Sequence, residues 1–134
     1  MKKLLILAFA VILLVSAVGC GSGYRSSYSA VGFIHSSGSD AAFMKFHSFN
    51  GTMVFKLKCE SDDGAKIAYS LTLETGTANI YYDSDGTKTE LISISAGDTI
   101  NTSGGELSKG TVYLIVETSE ICQNGEFRFE ITQN

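Results

Sequence analysis

The residues best suited to chemistry in this sequence are two histidines, a pair of tyrosines and a pair of aspartates. His35 and His47 lack a second histidine or cysteine at the spacing of a zinc site, and no serine has the spacing of a nucleophile elbow. Nucleophilic catalysis needs a serine or cysteine beside a base that a carboxylate orients. The sequence therefore predicts no catalytic residues, no metal site and no cofactor, and we expect a protein that is not an enzyme.

The segment Asp83-Ser84-Asp85-Gly86 places two carboxylates two residues apart before a glycine. Such oxygens can bind Ca²⁺, but the longer ligand series of a calcium loop and its distal glutamate are missing. Aspartate and glycine are also the ordinary residues of a hairpin turn, and we expect a turn here. A weak calcium site is the alternative.

Tyr81 and Tyr82 are adjacent, so on an extended strand their rings point to opposite faces. Because sugars stack on exposed aromatic rings beside polar groups, Tyr81, Tyr82, Asp83 and Asp85 form a candidate patch for a glycan. The absence of tryptophan from the sequence weakens such a platform. The alternative is that one ring, expected to be Tyr82, lies in the core while Tyr81 pairs with a surface neighbour.

The first twenty residues have the organisation of an export signal. Lys2 and Lys3 precede the apolar run Leu4–Val15, whose twelve residues are too few to cross about 30 Å of hydrocarbon as a helix. The sequence Ala17-Val18-Gly19-Cys20 resembles the lipobox of bacterial lipoproteins, with alanine where leucine is commoner. The resemblance implies a diacylglycerol on Cys20, removal of residues 1–19, and anchoring to the outer face of the cell membrane, or to an outer membrane where one exists. The alternatives are an ordinary cleaved signal and an uncleaved anchor.

The charge balance excludes nucleic-acid binding through a basic face, because 14 acidic residues outnumber ten basic ones. Removal of Lys2 and Lys3 leaves eight basic residues against 14 acidic ones, a net charge of −6. The overall charge of such a domain does not draw it to anionic lipid. The lipid on Cys20 must therefore hold it at the membrane.

Residues 20–41 are rich in glycine and serine, which predicts a flexible tether between the lipid and a folded domain. The apolar island Val31–His35 could form a short first strand. The folded domain is expected over residues 42–134.

Alternation of apolar and polar residues dominates the chain after residue 42 and predicts strands with one buried face. Asn50-Gly51 is the strongest short hairpin signal in the chain. The pattern predicts an all-β fold, an antiparallel β-sandwich or jelly roll of seven to eight strands, with a closed barrel as the alternative. The expected strands are 43–49, 52–60, 65–74, 77–83, 87–95, 98–102, 111–118 and 126–132.

Two cysteines, Cys59 and Cys122, remain once Cys20 carries lipid. Export places them where disulfides persist. A bridge between them would close a long loop and contribute roughly 4 kcal/mol of stability. We therefore expect a disulfide, with two unpaired buried thiols as the alternative.

Several strand–turn segments resemble small β-sandwich lipoproteins of Gram-positive gut bacteria, and also accessory sandwich domains of secreted bacterial enzymes. The resemblance implies a fold and a location at the cell surface, and it carries over no catalytic residue. We expect a non-enzymatic surface lipoprotein that binds an unknown glycan or protein. The alternatives are a carbohydrate-binding domain that uses Tyr81, Tyr82, Asp83 and Asp85, and an envelope hydrolase or hydrolase inhibitor. The segments concerned are Gly51-Thr52, Tyr69–Gly76, Tyr81–Gly86, Lys109–Glu117 and Gly125–Phe129.

Overall fold

The computed structural model describes residues 24–132, which form nine antiparallel β-strands. The expectation of an all-β antiparallel sandwich is confirmed. None of the described residues belongs to a helix that could cross a membrane. The strands are β1 (Ser27–Val31), β2 (Ile34–Ser37), β3 (Ala41–Cys59), β4 (Lys66–Thr75), β5 (Thr77–Asp83), β6 (Lys88–Ser95), β7 (Thr99–Gly104), β8 (Gly110–Thr118) and β9 (Cys122–Thr132).

The long strand β3 belongs to both halves of the sandwich. Residues 41–49 of β3 pair with β9, and residues 52–59 pair with β8. Strands β1 and β2 pair with β3 as well, along its other edge. The first half of β3 together with β2, β9, β4 and β7 is called sheet I below. The second half of β3 together with β8, β5 and β6 is called sheet II.

The inner faces of the two sheets share one hydrophobic core, because alternate residues of each strand point inward. Sheet I contributes Met44, Leu71 and Phe127, none of them exposed at all. Sheet II contributes Ile80 and Leu114, which are equally buried. The residues between these inward positions form the outer faces, and the two outer faces lie on opposite sides of the domain.

The hairpin expected at Asn50-Gly51 is wrong, because β3 continues through both residues. A type I′ turn needs positive φ at both central residues, but only Gly51 has one, at 136°. The flanking segments do not pair with each other, since each pairs instead with one of the successive strands β8 and β9. The backbone N–H of Gly51 donates a 2.8 Å hydrogen bond to Thr118 Oγ1 at the end of β8. Gly51 therefore lies where β3 passes between the sheets.

The expected tether over residues 20–41 is corrected from Ser27 onward, because this part of the chain forms two strands. Strand β1 pairs with Ser48–Thr52 of β3, and β2 pairs with Ala42–Lys45. The aromatic rings of this segment hold it in place, since Phe33 and Tyr28 pack within 5.3 Å and 5.2 Å of the buried Phe49 ring. These two additional strands, together with the single long β3, explain why nine strands are found. Residues 1–19 and Cys20 lie outside the described residues.

The expected disulfide between Cys59 and Cys122 is not formed, since both cysteines are free and buried. Cys122 lies opposite Phe49 in the pairing of β9 with β3, whereas Cys59 is ten residues further along β3 (59 − 49). Ten residues of strand have a contour of about 33 Å, and a disulfide needs Cα atoms within about 7 Å. Each thiol instead donates to a nearby carbonyl, Cys59 to Ser61 at 3.1 Å and Cys122 to Thr77 at 3.4 Å.

Candidate functional site

The four residues of the predicted glycan patch do not form one exposed surface. The Tyr82 ring packs against the core, as expected, and lies over Gly105. Its hydroxyl accepts a 3.2 Å hydrogen bond from the backbone N–H of Glu106. Tyr82 therefore fastens the segment after β7 to β5, and its ring is not available as a platform for a sugar.

Asp83 is the buried carboxylate of this region, with 7% of the residue exposed. Its Oδ2 accepts a 2.6 Å hydrogen bond from Tyr24, and its Oδ1 accepts a 2.7 Å bond from the N–H of Gly86. The neighbouring Asp85 caps the N–H of Thr87 at 3.2 Å. Both carboxylates thus stabilise the turn after β5. Within residues 24–132 no group of three or more His, Cys, Asp or Glu side chains could hold a metal ion.

Tyr81 lies on the outer face of sheet II and is partly exposed. Lys88 Nζ sits 4.6 Å from the centre of its ring, and the same ammonium pairs with Glu117 Oε2 at 2.6 Å. One face of the ring is therefore covered by a cation that is itself neutralised. This arrangement fits the cross-strand surface pairing that was the alternative to a sugar platform.

Tyr24 packs on the outer face of sheet II and covers the part of it near Asp83. Its ring lies 5.2 Å from that of Tyr113, whose register partner on β5 is Asp83. Partial burial, reinforced by the hydrogen bond to Asp83 and the negative charge there, raises the pKa of Tyr24 to about 12. The phenol therefore stays protonated and donates to Asp83 throughout the physiological range.

An open concave surface with convergent polar groups lies on the other side of the domain, on the outer face of sheet I. It is a cleft of about 440 Å³, within the usual range for ligand sites. One line of paired residues crosses all five strands of the sheet at this cleft. From β2 to β7 the line consists of Ser36, Phe43, Arg128, Ser70 and Asn101. At about 4.8 Å per strand step, the line is about 19 Å long, which suits an extended ligand.

Arg128 is held at the centre of this line by two neighbours. Its guanidinium carbon lies 4.4 Å from the centre of the Phe43 ring. Its Nε donates a 3.1 Å hydrogen bond to Glu126 Oε2, and its Nη2 forms an ion pair with the same oxygen at 3.1 Å. Because a guanidinium carries five N–H donors, three of them are not used by Glu126. The flat, oriented group thus presents donors toward the cleft.

The other polar groups of the cleft have open hydrogen-bonding capacity. In the described part of the chain, the side chains of Ser70, Asn101 and Glu130 form no hydrogen bond with another residue, and all three are exposed. A serine hydroxyl and an asparagine amide can each donate and accept, whereas a carboxylate accepts. Arg128 is balanced by Glu126, and Glu130 adds a further negative charge, so the cleft has no excess of positive charge.

Neither histidine is arranged for catalysis within residues 24–132. His47 Nδ1 lies 3.2 Å from Asn124 Oδ1, and the His35 ring lies 4.9 Å from that of Phe33. Among the described hydrogen bonds, neither imidazole contacts a serine, a cysteine or a carboxylate. No proton-relay arrangement is therefore built around either ring.

The sequence did not single out the residues of the cleft. The one available signal was the outward position of Arg128 between Phe127 and Phe129, which the alternating pattern does predict. The lateral alignment with Phe43 and Ser70 depends on strand register, and register between distant strands is not visible in a single sequence.

No family model and no curated protein matches the sequence. Among solved structures, the chain is similar to PliG, a periplasmic inhibitor of g-type lysozyme from Aeromonas hydrophila, with 16% identity and a TM-score of 0.46 over 71% of this chain and 89% of that one. It is also similar to a family 29 carbohydrate-binding module complexed with mannohexaose, with 16% identity and a TM-score of 0.41 over 82% and 90%. A structure described as CBM4 gives 10% identity and a TM-score of 0.43 over 80% and 76%. These values are too low to transfer a ligand or a partner to this chain.

Proposed function

We propose that this protein is an exported, lipid-anchored binding module, not an enzyme, and that it binds a neutral oligosaccharide in the cleft of sheet I. The observation that carries the proposal is the line of Ser36, Phe43, Arg128, Ser70 and Asn101 across five strands. Strands hold these side chains at fixed spacing, so the surface is organised before a ligand arrives, which lowers the ordering cost of binding.

The chemistry of the cleft favours a polyhydroxylated ligand. Hydroxyl groups donate and accept hydrogen bonds, and the cleft offers both capacities through Ser70, Asn101 and Arg128. A phosphate or sulfate ligand would need an excess of positive charge, but Glu126 and Glu130 flank the single guanidinium. A neutral sugar chain therefore fits better than an anionic one.

The proposed anchor is a diacylglycerol on Cys20, at the outer face of a bacterial membrane. Its support is the lipobox-like sequence Ala17–Cys20 after a short apolar run. Lipid chains contribute about 0.8 kcal/mol per buried CH₂, so a doubly acylated cysteine can hold a domain with no other membrane segment.

Binding can be measured on the full mature chain with Cys20→Ser, using a panel of neutral and anionic oligosaccharides and titration calorimetry. Ser70→Ala and Asn101→Ala should each weaken a neutral ligand about threefold to tenfold, the value of one net hydrogen bond. The matched control is Tyr81→Ala on sheet II, which should leave affinity unchanged. If Tyr81→Ala loses binding while the two cleft variants retain it, the ligand binds at the patch around Tyr81 on sheet II and not in the cleft. The absence of binding to every neutral sugar would overturn the proposed ligand.

The anchor is tested separately by intact mass of protein extracted from membranes. The expected mass corresponds to a chain that begins at Cys20 and carries lipid on it. Cys20→Ser should release the protein from the membrane fraction. Native material that begins before Cys20, or that carries an unmodified Cys20, would refute the anchor without affecting the cleft.

A further inference from the structure

The first described residues lie on the outer face of sheet II, opposite the cleft. Tyr24 contacts Asp83 and Tyr113. Tyr113 alternates with the core residues Val112 and Leu114 and therefore points outward, and Asp83 is its register partner on β5. Two residues after Tyr24, Ser26 Oγ accepts a 2.8 Å hydrogen bond from the N–H of Val54 on β3. The chain thus meets the outer face of sheet II at Tyr24 and the backbone of β3 at Ser26.

This attachment shortens the distance between the domain and the proposed anchor. Four Cα steps separate Cys20 from Tyr24, and four steps of extended chain reach at most about 14 Å. A flexible tether reaching to residue 41 would have let the domain turn freely. With Tyr24 fastened, the face that carries it is the part of the domain nearest to the lipid.

Three unpaired cations on this face can meet an anionic membrane. Arg25, Lys56 and Lys58 are exposed here, and the two lysines alternate with the inward residues Phe55 and Leu57. Within residues 24–132 the basic groups found in ion pairs are Lys88 and Arg128, so these three cations are unpaired. Asp83 is buried under Tyr24 and Glu117 is paired with Lys88. Exposed Glu90 lies on the same face beside Tyr81, and exposed Glu60 follows Lys58, so the unpaired cations are concentrated near Tyr113, the register partner of Lys56, in a chain whose net charge is −4.

We propose that the outer face of sheet II lies against the phospholipid surface that holds the anchor. Tyr24 and Asp83 set the orientation, and Arg25, Lys56 and Lys58 meet anionic headgroups. The cleft on sheet I then faces away from the membrane, toward ligands outside the cell. This orientation rests on the lipid anchor of the proposed function and does not depend on what the cleft binds.

Lysine labelling of the lipidated full chain tests the orientation. The protein is reconstituted into vesicles of phosphatidylcholine and phosphatidylglycerol, treated with a water-soluble acetylating reagent, and mapped by mass spectrometry. Lys45 and Lys66 on sheet I are the internal controls, since both are exposed and neither is in a described ion pair. Relative to Cys20→Ser protein with the same vesicles, labelling of Lys56 and Lys58 should fall by about threefold or more, while Lys45 and Lys66 stay unchanged.

A second variant tests whether Tyr24 sets the orientation. Tyr24→Phe removes the hydrogen bond to Asp83 and keeps the ring. The difference in labelling between the sheet II pair, Lys56 and Lys58, and the sheet I pair, Lys45 and Lys66, should therefore shrink. Tyr113→Phe is the matched control, because the Tyr113 hydroxyl forms no described hydrogen bond, and it should preserve the difference. Retained circular dichroism confirms that each variant is folded.

Each outcome decides the proposal. Equal labelling of all four lysines in protein whose Cys20 carries lipid would overturn the orientation and leave the anchor standing. Protection of Lys45 and Lys66 instead would place sheet I at the membrane and overturn the orientation as well. Protein without lipid on Cys20 would overturn the anchor and the orientation together.

Discussion

The phenol of Tyr24 donates a 2.6 Å hydrogen bond to the buried carboxylate of Asp83 although 59 positions separate the two residues. Asp83 also caps the turn after β5 through Gly86. The same carboxylate therefore stabilises a local turn and attaches the start of the described chain to the sandwich. Loss of the phenolic hydroxyl would leave one oxygen of a buried carboxylate without its partner.

We expect Tyr24→Phe to lower the free energy of unfolding by about 1–3 kcal/mol, the cost of leaving a buried charged group without its hydrogen-bond partner. Urea denaturation of the mature chain with Cys20→Ser measures the change. Tyr28→Phe is the control, because the Tyr28 ring packs on Phe33 and Phe49 and its hydroxyl forms no described hydrogen bond. Equal stability of Tyr24→Phe and the parent would show that the hydrogen bond to Asp83 contributes nothing.

The titration of Tyr24 gives a pH dependence with a definite sign. Partial burial first, and Asp83 second, raise its pKa from 10.0 to about 12. A group whose pKa is raised on folding contributes stability that is present below pH 10 and is lost as the pH rises toward 12. The difference in free energy of unfolding between the parent and Tyr24→Phe should therefore be constant below pH 10 and shrink as the pH rises toward 12, as measured by urea denaturation at each pH. A difference in free energy of unfolding that stays constant up to pH 12 would contradict the raised pKa.

Gly125 provides a test of the core where β9 meets β3. A Cβ at this position would overlap the ring of Phe46, its register partner, and Phe46 is held edge-on by Phe127. Gly125→Ala should lower the free energy of unfolding by about 1–3 kcal/mol, because the rings must move to make room. Gly38→Ala is the matched control, since a methyl group at that position would meet no atom within 4 Å. An unchanged free energy of unfolding in Gly125→Ala would show that the Phe46 ring can rotate away freely.

Substitution of Glu126 distinguishes an effect on ligand binding from an effect on stability. Its pair with Arg128 is exposed, with 38% and 62% of the side-chain areas open to solvent. Glu126→Gln should therefore change stability by less than about 1 kcal/mol. It should nevertheless weaken binding in the cleft, since the guanidinium loses the carboxylate that orients it. If folded Glu126→Gln binds the ligand with unchanged affinity, the orientation of Arg128 by Glu126 does not contribute to binding.

Much of the fold could be predicted from the sequence because alternation is a local property. Ile67 to Leu73 and Phe127 to Ile131 alternate in the sequence, and their inward residues are buried as the pattern requires. The hairpin at Asn50-Gly51 could not be judged locally. Its two flanking segments find partners far along the chain, on β8 and β9, and β1 passes so close to Gly51 that a Cβ there would overlap the backbone of Tyr28. Pairing with distant strands thus outweighed the turn signal.

The candidate site was harder to predict for the same reason. Tyr82 was expected in the core from its alternation with Tyr81, and it packs there. The cleft depends on five strands whose relative register brings Phe43, Arg128 and Ser70 into one line. No short motif marks those residues. A polar residue on a solvent face looks the same in sequence whether or not it has neighbours that converge on a ligand.

The two cysteines give a last prediction, which separates free thiols from a bridge. Burial raises the pKa of the Cys122 thiol, and the nearby Glu120 carboxylate raises it further, so little thiolate exists at neutral pH. Cys59 is also fully buried. In the Cys20→Ser chain, both thiols should resist iodoacetamide in native buffer and both should react in urea without reductant. Cys59 lies ten residues along β3 from Phe49, the register partner of Cys122, so a bridge would require strands to separate. Denatured protein that accepts no alkyl group before reduction would contradict this placement.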